Sequence, residues 1–199
     1  ALFELIRIAG SDGQYPVLYT VGNHEKRGFY SKEIEKYLSF STGEFYDYFE
    51  FGPMAAYIVD IGEDKEDTNK SYTNGTDPIG MIDMERYFDE QLKFFENHPG
   101  YSTDATYTFT ISHGPAYIGN SHYATNQAAF ANLFKTYGAD LHLAGHTHRM
   151  QFNPKTKLLS YPMILHAAPA NGQEVRSMLM TMENGKYTCK GNEYCNKYY

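Results

Sequence analysis

Three short runs hold the side chains best suited to chemistry in this chain: Gly22-Asn23-His24-Glu25, His113-Gly114-Pro115 and Gly145-His146-Thr147-His148. Each follows an apolar run of strand-like composition: "VLYTV" at 17–21, "YTFTIS" at 107–112 and "DLHLA" at 140–144. In α/β sheets, ligands bind outside the carboxyl ends of the strands, because the loops there share a crevice. If the three strands are neighbours, Asn23, His24, His113, His146 and His148 converge on one cavity, and the flanking glycines permit the sharp bends this needs. Neutral imidazoles beside an amide oxygen suit Zn, Fe, Cu or Ni, whereas Mg or Ca alone would want mostly oxygen ligands. The pair His146 and His148, one residue apart, can serve one ion or two adjacent ions. Two cations about 3.5–4 Å apart clamp the attacking and leaving oxygens of an in-line phosphoryl displacement. Singly, each histidine reads as an ordinary surface or core residue; together they point to a shared site.

The other histidines read differently. His142 alternates with leucines and belongs to a strand, its ring satisfied by a partner; His98, before a proline, marks a helix end. Tyr117, His122 and His166 follow strands close to the same loops and are candidates for the mouth of a substrate cleft.

These loops need elements to hold them. The spacing of Leu2, Leu5 and Ile6 predicts a helix ending near Gly10, and "KEIEKYL" a second, short one. Residues 43–62 read as two strands joined at Gly52-Pro53. Apolar positions 84, 87, 88, 92 and 95 give an amphipathic helix over 81–98, and 124–138 is a helix stopped by a glycine. "HRMQF" and "KLLSYP" flank the turn "NPKT", and Asn184-Gly185 joins "VRSMLMTM" to "KYTC" as a hairpin. Helices and strands alternate early and strands dominate late, the pattern of an α/β sheet domain with helices outside. No internal repeat or linker divides residues 1–199, which read as a single domain.

With 24 acids against 17 bases and a net charge of -7, the chain lacks the basic stripe of a nucleic-acid binder. No apolar run approaches the roughly 18–20 residues of a membrane span. The polar stretch 63–80, with the solvated run "EDKED", reads as a long exposed excursion and carries two glycosylation sequons, at Asn69 and Asn74. A Cys189–Cys195 disulfide would suit the same compartment, so the reading is a protein of the secretory pathway, secreted or lumenal.

"GNHE", the later "SHGP" and then "GHTH" resemble the calcineurin-like metallophosphoesterase superfamily in order and separation, and "PVLYTVGNHE" is similar to its purple acid phosphatase branch. The likeness covers nearly the whole chain. It implies two packed mixed β-sheets flanked by helices, and hydrolysis of a phosphate ester, acid phosphatase-like, by water activated at two metal ions, with Fe, Zn or Mn most suitable. By position, Asn23, His113 and His146 would bind the second metal, His148 the first, and His24 would contact the phosphate and support the leaving group; Glu25 has no ligand role. The superfamily also carries an earlier Asp-bearing strand end and a "GD" motif, and neither precedes Gly22 here. The expectation is therefore the C-terminal portion of a catalytic domain whose remaining strands and ligands lie upstream. The alternatives are a phosphodiesterase or nucleotidase of the same superfamily, or an inactive relative serving as a structural or adhesion module.

Overall fold

The computed structural model describes residues 4, 7, 10, 13–27, 31–61, 84–98, 104–115, 124–155, 159–166, 178–184 and 186–191. Among them are eight strands: β1 (Asp47–Phe51), β2 (Met54–Ile58), β3 (Tyr107–Ser112), β4 (Leu141–Ala144), β5 (Met150–Asn153), β6 (Met163–His166), β7 (Met178–Glu183) and β8 (Lys186–Gly191). Three α-helices accompany them, α1 (Ser31–Leu38), α2 (Met84–Glu96) and α3 (Ala124–Thr136), with a 3-10 turn at Glu25–Arg27. The first six strands form one mixed sheet in the order β1-β2-β3-β4-β6-β5, and β7 and β8 form an antiparallel pair. β2, β3, β4 and β6 are mutually parallel, while β1 and β5 run antiparallel at the two edges. This is the expected α/β architecture, a mixed sheet flanked by helices.

Strand residues alternate between two apolar layers, as a period of two requires. On one face Tyr57, Ala144, Met163 and Leu165 pack under Tyr87, Phe88 and Phe95 of α2 and Phe130 and Phe134 of α3. On the other, Phe109, Leu141 and Ile164 meet Met178, Met180 and Met182 of β7, whose methionines alternate with exposed residues. The helix over 81–98 forms within its expected range, and the anticipated Met84, Tyr87, Phe88 and Phe95 are buried. Gln91 is buried with them. Its amide accepts from the Asp60 N–H (2.9 Å) and donates to the Asp60 carbonyl (3.0 Å), pairing the backbone just past β2 as a neighbouring strand would.

Two expectations are corrected. Residues 17–21 form no strand: no described segment pairs with them, and a strand is defined by its ladder. The partner of β5 is not "KLLSYP" but "MILH" at 163–166, with Asn153 opposite Met163. Leu159 and Tyr161 instead turn into the core, and the Pro162 carbonyl accepts from His142 N–H at 2.9 Å. The expected N-terminal helix lies almost wholly outside the described residues, as do Tyr117, His122, Asn69, Asn74 and Cys195 and the side chain of Cys189.

Candidate metal centre at the strand ends

β3 and β4 are adjacent and parallel, with Ser112 opposite Ala144, so the turns after them emerge side by side. The Gly145 N–H donates to the His113 carbonyl at 2.9 Å and continues the ladder one step past the strands. The chain then bends sharply. His146 and His148 both adopt left-handed φ, 62° and 55°, and Thr147 N–H reaches back to the Gly145 carbonyl at 2.7 Å. Histidine is among the side chains found more often in that region, at a cost of order 1 kcal/mol per residue. The sequence thus tolerates strain at the two positions read as ligands.

Three of the expected site residues meet. His113 Nε2 lies 3.1 Å from Asn23 Oδ1 and 3.3 Å from His146 Nδ1. The His113 and His146 rings stand edge to face, centroids 5.2 Å apart. One proton on His113 Nε2 can satisfy only one of its two neighbours, whereas a cation among the three atoms engages a lone pair from each. The donor set, two imidazoles and an amide oxygen, therefore fits part of the shell of one Zn- or Fe-type ion. Among the described residues no group of three or more His, Cys, Asp or Glu side chains gathers closely enough to hold a metal; the trio reaches three only through Asn23. His24 and His148 are exposed. His148 shares the 145–148 turn, and His24 follows Asn23 directly.

Asn23, buried at 5% exposure, is held by a loop rather than by a strand. The Gly22 N–H donates to Glu25 Oε2 at 2.9 Å, which tightens the turn. A methyl at Gly22 would lie 2.6 Å from that oxygen and 3.1 Å from His113 Cε1, so a side chain there crowds both the Glu25 carboxylate and the His113 ring. Lys26, next along, pairs with the fully buried Asp60 carboxylate just past β2. The Tyr87 hydroxyl donates to the same carboxylate at 3.0 Å, and the lysine ammonium sits 5.0 Å from the Tyr87 ring centre and 5.3 Å from that of Phe45. Burial first, and then the Asp60 charge, drive the Tyr87 phenol far above its ordinary pKa, so it stays a donor. Tyr19, before the loop, rises to about 12 through burial and then the Glu25 carboxylate. The sequence reading missed Lys26, Asp60 and Gln91; the signal available was a charge inside an otherwise apolar strand, "AAYIVDIG".

His142 is a strand residue with partners, as expected. Ser112 Oγ donates its one proton to the Gly114 carbonyl and so can only accept from His142 Nε2–H, 3.3 Å away. That fixes the tautomer and leaves Nδ1 to accept from the Thr110 hydroxyl at 2.7 Å. The chain of hydrogen bonds ends on the His113-Gly114 turn. Burial lowers the His142 pKa to about 4, keeping it neutral.

The model of the calcineurin-like phosphoesterase family matches residues 2–150. The chain belongs to that family, whose chemistry is metal-dependent hydrolysis of phosphoesters. No curated protein matches it. Among solved structures it is similar to GAP50, the anchor in the inner membrane complex of Plasmodium, at 14% identity and a TM-score of 0.34, over 72% of this chain and 41% of that one. This chain therefore spans less than half of that protein's length. No helix among the described residues is long and apolar enough to cross a membrane.

Proposed function

We propose that the chain carries the metal ligands of a secretory, glycosylated phosphatase of the purple acid phosphatase-like branch. The observation that carries the reading is the meeting of Asn23 Oδ1, His113 Nε2 and His146 Nδ1, from three separated segments, within 3.1 and 3.3 Å. These three would hold one ion, and His148 would contribute to a second. Bound cations supply Lewis acidity toward the phosphoryl group and acidify the attacking water. The chain's own part is to present the donors, with Glu25 and Gly22 setting the loop and Gly145 keeping the turns close. His24, exposed beside Asn23, would contact the ester and assist departure of the leaving group.

The test is His113→Ala and His146→Ala in the full protein. Each is expected to lower bound Fe or Zn by at least one equivalent and to abolish hydrolysis of p-nitrophenyl phosphate, with circular dichroism unchanged. Unaltered metal content in both would overturn the assignment. The rate on a bis-ester measured alongside separates a monoesterase from a diesterase, and wild-type protein that takes up no metal would mark a non-catalytic module.

A further inference from the structure

Alternation along β3 puts Thr110 and Ser112 on one face of the sheet, and Ile111 and His113 on the other. His142 stands opposite Thr110 in the β3–β4 ladder and so shares its face. Thr110, Ser112 and His142 are all buried, none more than 2% exposed. The Ser112 hydroxyl donates to the Gly114 carbonyl, so one bond spans His113, its donor on the residue before and its acceptor on the residue after. Gly114 is buried and has no side chain to restrain its own backbone. A buried carbonyl needs a donor, and here the last residue of β3 supplies it.

That hydroxyl carries a single proton, and the direction it takes decides whether the span closes. His142 Nε2, 3.3 Å from Ser112 Oγ, engages the oxygen's lone pairs and leaves the proton for Gly114. The Thr110 hydroxyl in turn holds His142 Nδ1 at 2.7 Å. On the other side of the ladder the His113 carbonyl accepts from Gly145 N–H at 2.9 Å. The turn is thus pinned at two successive carbonyls, His113 by Gly145 and Gly114 by Ser112. We infer that Ser112 is a positioning residue for the metal ligand His113: its hydroxyl, aimed by His142, fixes the Gly114 carbonyl and with it the angle at which the His113 ring meets Asn23 and His146. This inference rests on the phosphoesterase reading for what His113 binds, and adds to it a support from the opposite face of the sheet.

The test compares Ser112→Ala with Thr108→Val, which removes another buried hydroxyl from earlier on the same face of β3. In the full ¹⁵N-labelled protein, before zinc is added, amide exchange is followed at Gly145, which donates to His113, and at Val59, which donates to Ile111. Ser112→Ala is expected to speed exchange at Gly145 about tenfold more than at Val59, the worth of one hydrogen bond, and Thr108→Val to change the two alike. After loading, Ser112→Ala is expected to bind zinc about 10–100-fold more weakly in dye competition, the usual scale for groups that orient ligands. Its cobalt-loaded form should show shifted visible absorption bands, which report ligand geometry, whereas Thr108→Val should match the wild type in both measurements. A hydroxyl that served only the fold would lower urea stability and leave the bands unmoved. If Gly145 exchange rises no more than that of Val59, or if Ser112→Ala keeps both its zinc affinity and its cobalt bands, the inference falls and the phosphoesterase reading stands. An equal loss of zinc affinity in Thr108→Val also overturns it, since the cause would then be a general loosening of β3. A wild type that binds neither zinc nor cobalt removes the underlying reading as well.

Discussion

At Gly22 the backbone N–H is engaged by Glu25 on one side while the His113 ring presses from the other. A methyl group there has to displace one of them, and both are tied: the carboxylate to the Gly22 amide, the ring to Asn23 and His146. Gly145 offers the contrast, because a Cβ on it meets nothing nearer than 3.7 Å. Gly22→Ala is therefore expected to lower zinc affinity about 10–100-fold, the usual scale for disturbing groups that orient ligands. Its cost to folding should be about 1–3 kcal/mol, as for other overpacked sites. Gly145→Ala should leave zinc affinity within about threefold of the wild type. Competition with a zinc-sensitive dye checks both, and equal affinities for the two variants would show that the Gly22 contact does not set the ligand geometry.

At the scale of elements, the Asn23 loop is fastened to the sheet through charge rather than through a ladder. Lys26 reaches a carboxylate with no exposed side-chain surface, and α2 supplies Tyr87 and Gln91 to the same residue. Removing one partner of a buried pair leaves an uncompensated charge, which costs about 3–5 kcal/mol, whereas removing both is milder. Lys26→Met is expected to lose about that much in urea unfolding, and Lys26→Met with Asp60→Asn to regain a good part of it. A loss below about 1 kcal/mol in the single variant would mean the loop is held by something else. Much of the scaffold around this anchor was legible. The helix over 84–96 announced itself by apolar spacing, the β1–β2 hairpin by Gly52-Pro53, and the β7–β8 hairpin by Asn184-Gly185. The ordered motifs also marked Asn23, His113 and His146. The run at 17–21 misled because β-branched composition reports fitness for a sheet, not the presence of a partner. The β5 partner misled because the leucine and tyrosine of "KLLSYP" are apolar for the core and not for the ladder. Lys26 and Asp60 lie 34 residues apart, and nothing local in either segment names the other.

Across the whole molecule, the two turns that bear His113 and His146 rest on a sheet whose central strand hides an imidazole. His142 is fully enclosed, and its hydrogen-bonding neighbours include the hydroxyls of Thr110 and Ser112 and the backbone of Thr110 and Gly114, none of which titrates near neutrality. Burial holds its pKa at about 4 against an ordinary 6.5. The unfolded chain thus takes up a proton at this residue before the folded protein does. Stability that is complete above pH 6.5 drains away as the pH falls toward 4. At about 1.4 kcal/mol per unit, the full loss approaches about 3 kcal/mol. Protonation also turns Nδ1 from acceptor to donor, so the Thr110 hydroxyl has to turn its own proton away and accept instead. His142→Gln retains one donor and one acceptor without the titration. Its urea stability is expected to be lower than the wild type's at pH 7 and to converge on it between pH 6.5 and 4, while carboxylate titrations act equally on both proteins. A constant difference across that range would show that this imidazole is not held neutral by the fold.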